Sequence, residues 1–253
     1  MTLNFKVFGS GEPVIILHGL FGMLDNWQTF AKKLAEDYTV HIIDQRNHGK
    51  SPHSDEFNYK LLSADVNDFI GEHDIQSPHI IGHSMGGKTV MQYAADYPDI
   101  AKTITIIDMA PKAYEGSHTE IFDAVLSMDL ASLEKRSDAD DHLAQSIAQV
   151  AVRQFLLKNL SRSSDGFRWK ANFSSLYKHY ESILGNIEIS KAIRIPASFI
   201  YSDRSGYLEQ GDIEMISTHF TNATFTKMTA GHWIHAEKPI ELMELVKEHL
   251  SNT

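Results

Sequence analysis

Apolar residues along this chain fall into two alternating rhythms. Short, continuous, largely β-branched runs occupy 14–17, 40–43, 79–81, 104–107, 198–201 and, less sharply, 224–228. Runs of this length predict buried strands. Between them the apolar spacing lengthens to that of a helix. Asn26 is placed to cap a helix through 36, with Trp27, Phe30, Ala31 and Leu34 on one face. Asn58 is placed to start another through 72, with Leu62, Val66, Phe69 and Ile70 inward. A third helix is predicted over 85–97, ending at Pro98. A last one follows Pro239, where Leu242, Leu245, Val246 and Leu250 recur at helical spacing. Strands that are apolar on both faces and alternate with helices predict an α/β protein with a parallel sheet covered on both sides.

The alternation breaks between 111 and 190. This stretch reads as mostly helical, with a long helix expected over 138–159 and Leu143, Ile147, Val150 and Phe155 as its apolar stripe. Phe167-Arg168-Trp169-Lys170 interrupts with a period of two. The pattern predicts a core domain built from 1–110 and 191–253, with 111–190 inserted as a helical cap. The insertion's charge is split: 111–149 hold 3 basic and 8 acidic residues, 150–195 hold 8 basic and 3 acidic. Acids near helix starts and bases near helix ends explain the split by dipole compensation. A basic edge facing an anionic substrate group is the other reading.

Composition narrows the function. The 253 residues include fourteen histidines and no cysteine. Disulfide frameworks, thiolate nucleophiles and cysteine metal sites are therefore excluded. A net charge of −10 argues against nucleic acid as a partner, because duplex binding needs a basic surface. The first apolar run stops at His18, well short of the about 7–15 residues of a secretory signal. Nothing approaches the about 20 residues of a membrane span. A cytoplasmic protein is expected, as a monomer or weak homodimer.

The sharpest chemical motif is Gly82-His83-Ser84-Met85-Gly86-Gly87, between a predicted strand and a predicted helix. A serine between glycines at such a junction is a nucleophile elbow. The sharp turn pushes the serine outward, and glycines keep neighbouring backbone from colliding. It also leaves the Met85 N–H free to hold an oxyanion. His18-Gly19-Leu20-Phe21-Gly22 follows the first strong strand, and the Leu20 N–H is the candidate second donor. A serine hydroxyl needs a base. His232, in Ala230-Gly231-His232-Trp233, sits after the last predicted strand, where a turn glycine aims it inward; His235 is its competitor. No third ligand accompanies this pair, and the chain has no H-E-x-x-H, so no metal site is expected.

With these motifs the chain resembles α/β-hydrolases of the YbfF-type esterase family. The resemblance also rests on Asp44-Gln45-Arg46-Asn47-His48-Gly49-Lys50-Ser51, Ile107-Asp108-Met109-Ala110-Pro111 and Gly231-His232-Trp233-Ile234-His235-Ala236-Glu237-Lys238-Pro239. It implies the α/β-hydrolase fold, and hydrolysis of carboxylic esters with acyl-CoA thioesters as a second class. It implies a small-molecule substrate and no cofactor. The commonest pattern of this fold carries its catalytic acid a few residues past the 198–201 strand, where this chain has Ser205. That leaves two candidates: Asp108, the position that YbfF-type esterases use, and Asp203. Asp44 and Arg46 read as loop braces, and His83 as packed within the elbow. Phe21, Phe155, Trp169, Tyr177 and Trp233 are candidate substrate contacts, with packing inside the cap as the competing role for its aromatics, Phe167 and Tyr180 included. Carbon–carbon bond hydrolysis or cofactor-free peroxidation on the same triad, and a slow-turnover ligand-sensing role, are the alternative functions.

Overall fold

A computed structural model of the chain describes residues 1–164 and 166–252. The strands are β1 (Phe5–Phe8), β2 (Glu12–Leu17), β3 (Tyr38–Ile43), β4 (His79–His83), β5 (Thr103–Ile107), β6 (Leu160–Ser163), β7 (Gly166–Trp169), β8 (Ala197–Ser202) and β9 (Ala223–Met228). The helices are α1 (Gln28–Leu34), α2 (Tyr59–Glu72), α3 (Met85–Asp96), α4 (Thr119–Leu126), α5 (Arg136–Ala144), α6 (Val150–Leu157), α7 (Phe173–Lys178), α8 (Tyr180–Leu184), α9 (Asp212–His219), α10 (Ile234–Glu237) and α11 (Pro239–Ser251).

Seven strands form one sheet in the order β1-β3-β2-β4-β5-β8-β9. All neighbours are parallel except β1, which runs antiparallel to β3. The six runs read from the sequence are its six parallel strands. β1 escapes that reading because it is a short, half-exposed edge strand, with Lys6 and Val7 both outward. Alternating side chains send Ile15 and Leu17 to one face and Val14 and Ile16 to the other. One face packs against α2 and α3, the other against α1 and α11. The parallel strands all end on one edge, with His83 beside Ile107, Ile107 beside Ile200 and Ser202 beside Met228. The loops leaving that edge therefore converge.

Two helix starts behave differently. Asn58 caps α2 as expected, its side chain accepting from the Leu61 N–H at 2.9 Å. Asn26 does not cap α1. It closes a short 3₁₀ turn and accepts from the Met23 N–H behind it, and α1 begins after Trp27.

Among the described residues the stretch between β5 and β8 adds no strand to the main sheet. It carries α4 to α8 and the β6–β7 hairpin, which holds the period-two Phe167–Trp169 pattern. The single helix expected over 138–159 is two, α5 and α6, with a turn between them. Leu143 and Ile147 are buried, but Val150 is 59% exposed and leaves the stripe. One ion pair spans that break: Arg153 on α6 pairs with Asp140 on α5 at 2.8 Å. Many contacts tie the insertion to the core, these among them. The Tyr59 hydroxyl donates to the Ile183 carbonyl, the Asn159 amide to the Phe21 carbonyl, and the Lys88 ammonium to the Leu184 and Gly185 carbonyls.

Candidate active site

Ser84 stands on the turn from β4 into α3, with φ 55° and ψ −120°. A non-glycine residue in this region stores roughly 1–3 kcal/mol of strain, held in place by its surroundings. The surroundings are visible. A Cβ on Gly82 would strike the Gly86 carbonyl, and one on Gly86 would strike the Leu17 carbonyl. The two glycines thus let the turn close against β2, and Ser84 is pushed to the sheet edge.

The loop after β9 returns to that edge. His232 Nε2 lies 3.0 Å from Ser84 Oγ, and His232 Nδ1 lies 2.7 Å from Asp108 Oδ2. A carboxylate accepts only, so Nδ1 carries the proton and Nε2 faces the serine as an acceptor. The ring is held on two further sides. Tyr207 stacks on it at 4.0 Å and 25°, and the His83 ring donates through Nε2 to the His232 carbonyl at 2.8 Å.

Asp108 follows β5 with φ 52° and is fully buried. Its Oδ1 accepts from the Ser202 N–H and the Ser205 hydroxyl, each at 2.9 Å. Its backbone N–H donates to Ile200. Ser205, where the commonest pattern has the acid, thus braces Asp108 instead. Asp203 does not reach His232: it is exposed, and its carboxylate accepts from Thr229 and faces Arg204. His235 also stays apart from Ser84, stacked on Trp27 at 4.5 Å.

The His18–Gly22 loop lies against the serine; a Cβ on Gly19 would come within 3.1 Å of Ser84 Cβ. Leu20 and Met85 both border the cavity above Ser84. Among the described residues neither amide N–H donates to another protein group. The loop is braced by His48, whose Nε2 accepts from the Phe21 N–H, and by His18, whose Nε2 accepts from the Gln45 N–H. Asp44 ties Leu24, Lys50 and Asn4 together, and Arg46 grips Asp65 with two hydrogen bonds at 2.6 and 2.8 Å.

Burial controls the charge around the triad. Desolvation lowers His18, His118 and His235 to about 4 and His48 to about 3, and holds His83 well below its usual value. At neutral pH these rings are uncharged and add no positive charge around His232.

The cavity over Ser84 has a volume of about 490 Å³. Of the candidate substrate contacts, Phe21, Phe155 and Trp233 line it. Trp169 and Tyr177 do not. Trp169 is turned onto Phe173 in the hairpin, and Tyr177 is 43% exposed and packs on Phe122. Phe167 also lies outside the lining, under the Arg162 guanidinium, whereas Tyr180 borders the cavity. Sequence reasoning missed His118, Tyr207 and Lys88. No local motif marks them: His118 arrives with the insertion, Tyr207 with the loop after β8, and Lys88 from the first turns of α3. Lys88, one helical turn from Ser84, is buried with its ammonium over the Tyr114 ring at 4.6 Å, and desolvation lowers it to about 7.

No helix among the described residues is long and apolar enough to cross a membrane. The family model of the alpha/beta hydrolase fold matches residues 12–239. Esterase YbfF of Escherichia coli is 34% identical over 245 residues, covering 96% of this chain and 94% of its own length. The sn-1-specific diacylglycerol lipase ABHD11 of Danio rerio is 33% identical over 259 residues, covering 97% of this chain and 81% of its own. Among solved structures, a marine microorganism esterase superposes with a TM-score of 0.95 at 39% identity, over 98% of each chain.

Proposed function

Because this chain belongs to the α/β-hydrolase fold family, we propose that it hydrolyses carboxylic esters through an acyl-enzyme on Ser84. The observation that carries this reading is the continuous array Ser84–His232–Asp108, with links of 3.0 and 2.7 Å. Ser84 Oγ attacks the ester carbonyl while His232 Nε2 takes its proton. The oxyanion is held by the Leu20 and Met85 N–H groups, and one such donor is typically worth about 3–4 kcal/mol. His232 then protonates the leaving alcohol. Water, deprotonated by the same nitrogen, attacks the acyl-enzyme and releases the acid. Asp108 keeps the proton on Nδ1 throughout and stabilises the imidazolium. The inserted segment 111–190 acts as the cap, supplying Tyr114, Phe155, Ile183 and Leu184 to the cavity wall.

Relatives named as esterases and a lipase support an ester substrate over the carbon–carbon, peroxidase and ligand-sensing alternatives. Acyl-CoA thioesters are the alternative substrate class, to be compared in the same assay. The test is a panel of p-nitrophenyl esters of rising acyl length, run with an acyl-CoA series. Measurable turnover of the esters, its loss in Ser84→Ala and labelling of Ser84 by a serine-directed phosphonate are expected. Full activity in Ser84→Ala would overturn the assignment.

A further inference from the structure

A second cavity, about 950 Å³, opens beside the first between α1, α6 and the α10–α11 segment. The two cavities share Asn26, Phe155, Trp233 and His235 as a common wall. Phe155 and Trp233 stand tilted against each other at that boundary, 5.4 Å apart. Beyond them the second groove is lined by Phe30, Pro239, Ile240 and Met243. Ile240 is 76% exposed, while Leu242, Val246 and Leu250 of the same helix are buried. An apolar surface open to water beside a reactive serine is where an apolar substrate arm gains from burial.

Charge and direction both limit what fits. Lys33, Lys158 and Lys247 also border the groove; Lys33 pairs with Glu36 at 2.7 Å and Lys247 with Asp37 at 2.5 Å, while Lys158 forms no ion pair among the described residues. Glu244 borders it as well. Glu36, Asp37 and Glu244 offset the three cations in number, which leaves no net positive charge for a polyphosphate such as that of CoA and suits an uncharged chain. Direction follows from the chemistry: His232 must protonate the leaving oxygen, so the leaving group starts at His232. The residues following His232 in the chain, from Trp233 to Met243, carry one wall of the second groove.

We propose that this groove is the leaving-group subsite, and that the substrate is an ester of an apolar, chain-bearing alcohol. The acyl arm occupies the cavity over Ser84, and the alcohol's chain crosses Phe155 and Trp233 into the groove. The inference rests on the ester-hydrolase reading above.

The test varies the alcohol at constant acyl group: ethyl, butyl, hexyl and octyl butyrate, each below its solubility limit. Wild-type kcat/KM is expected to rise about two- to fourfold per added methylene, consistent with partial to full burial of each. Ala151→Trp and Ala236→Trp, both at exposed positions in the groove, are expected to pull the octyl-to-ethyl ratio down toward one. The same variants are expected to keep the wild-type slope across ethyl butyrate, hexanoate and octanoate. A wild-type enzyme indifferent to alcohol length overturns the subsite. So do variants with an unchanged octyl-to-ethyl ratio, or variants that alter the acyl slope instead. Failure of the underlying reading looks different: no hydrolysis of any butyrate ester, or hydrolysis that survives Ser84→Ala.

Discussion

Asp108 and His232 stand 124 positions apart in the chain, yet Oδ2 of the one meets Nδ1 of the other at 2.7 Å. The carboxylate is buried and its other oxygen is occupied by Ser202 and Ser205. Asparagine at this position would present either a second donor to Nδ1 or a weaker acceptor, and the imidazole tautomer would no longer be held. Asp108→Asn is expected to lower kcat by about 10⁴-fold on a p-nitrophenyl ester. Asp203→Asn, whose side chain faces Thr229, is expected to stay within about twofold of wild type. A loss of several decades in Asp203→Asn would reverse the assignment.

Ser205 donates to Asp108 Oδ1 at 2.9 Å. A hydrogen bond to a charged group contributes about 1.5–3 kcal/mol, and only part of it bears on the reacting histidine. Ser205→Ala is expected to lower kcat about tenfold with KM little changed. Placing the acid at the alternative position, in the double variant Asp108→Asn with Ser205→Asp, is expected to regain at least tenfold over Asp108→Asn alone. Steady-state kinetics on the four proteins checks both expectations.

The buried histidines make stability depend on pH. In the folded chain His18 is lowered from the usual 6.5 to about 4, and His48 to about 3, both by desolvation. Below 6.5 the unfolded chain binds protons that the folded chain refuses. Stability is therefore full above about 6.5 and is lost as pH falls toward 4, by up to about 1.4 kcal/mol per pH unit for each ring. Urea midpoints measured from pH 7.5 to 5 should fall steadily. His48→Gln, which keeps a donor and an acceptor, should make that fall shallower; an unchanged slope would show that His48 is not a source of it.

Lys88 behaves in the opposite pH range. Desolvation lowers it from 10.5 to about 7 in the fold, so between these values the unfolded chain again binds the extra proton. Wild-type stability should rise with pH over this window, and Lys88→Met should lack that contribution. Between pH 7.5 and 9.5 the gap between the two proteins is expected to shift by about 2 kcal/mol in favour of wild type. Denaturant unfolding at the two pH values measures it.

Much of this protein is decided by neighbours in the chain. The six parallel strands are legible because β-branched apolar runs are local signals. Ser84 is legible because only glycine at 82 and 86 lets the turn close against the Leu17 and Gly86 carbonyls. His232 is legible as the candidate base because it follows the last strand of the sheet, after the candidate nucleophile. The edge strand Phe5–Phe8 and the break between Ala144 and Val150 were not legible. One is a short edge strand left partly exposed, and the other sits in a stretch whose helical period continues through it.

What remained open was decided by packing between distant segments. Asp108 and Asp203 both follow strands that end on the same sheet edge, so composition and spacing leave either one available. The positive φ of Asp108 turns its carboxylate under Ser202 and onto His232, while Asp203, whose N–H bonds to Met228, points out to Thr229. The same holds for the cavity wall. Trp169 and Phe155 are equally aromatic in the sequence, but the hairpin turns Trp169 onto Phe173, whereas α6 sets Phe155 against Trp233. Side-chain type is written in the chain; side-chain direction depends on backbone dihedrals and contacts that exist only once the insertion has docked on the sheet.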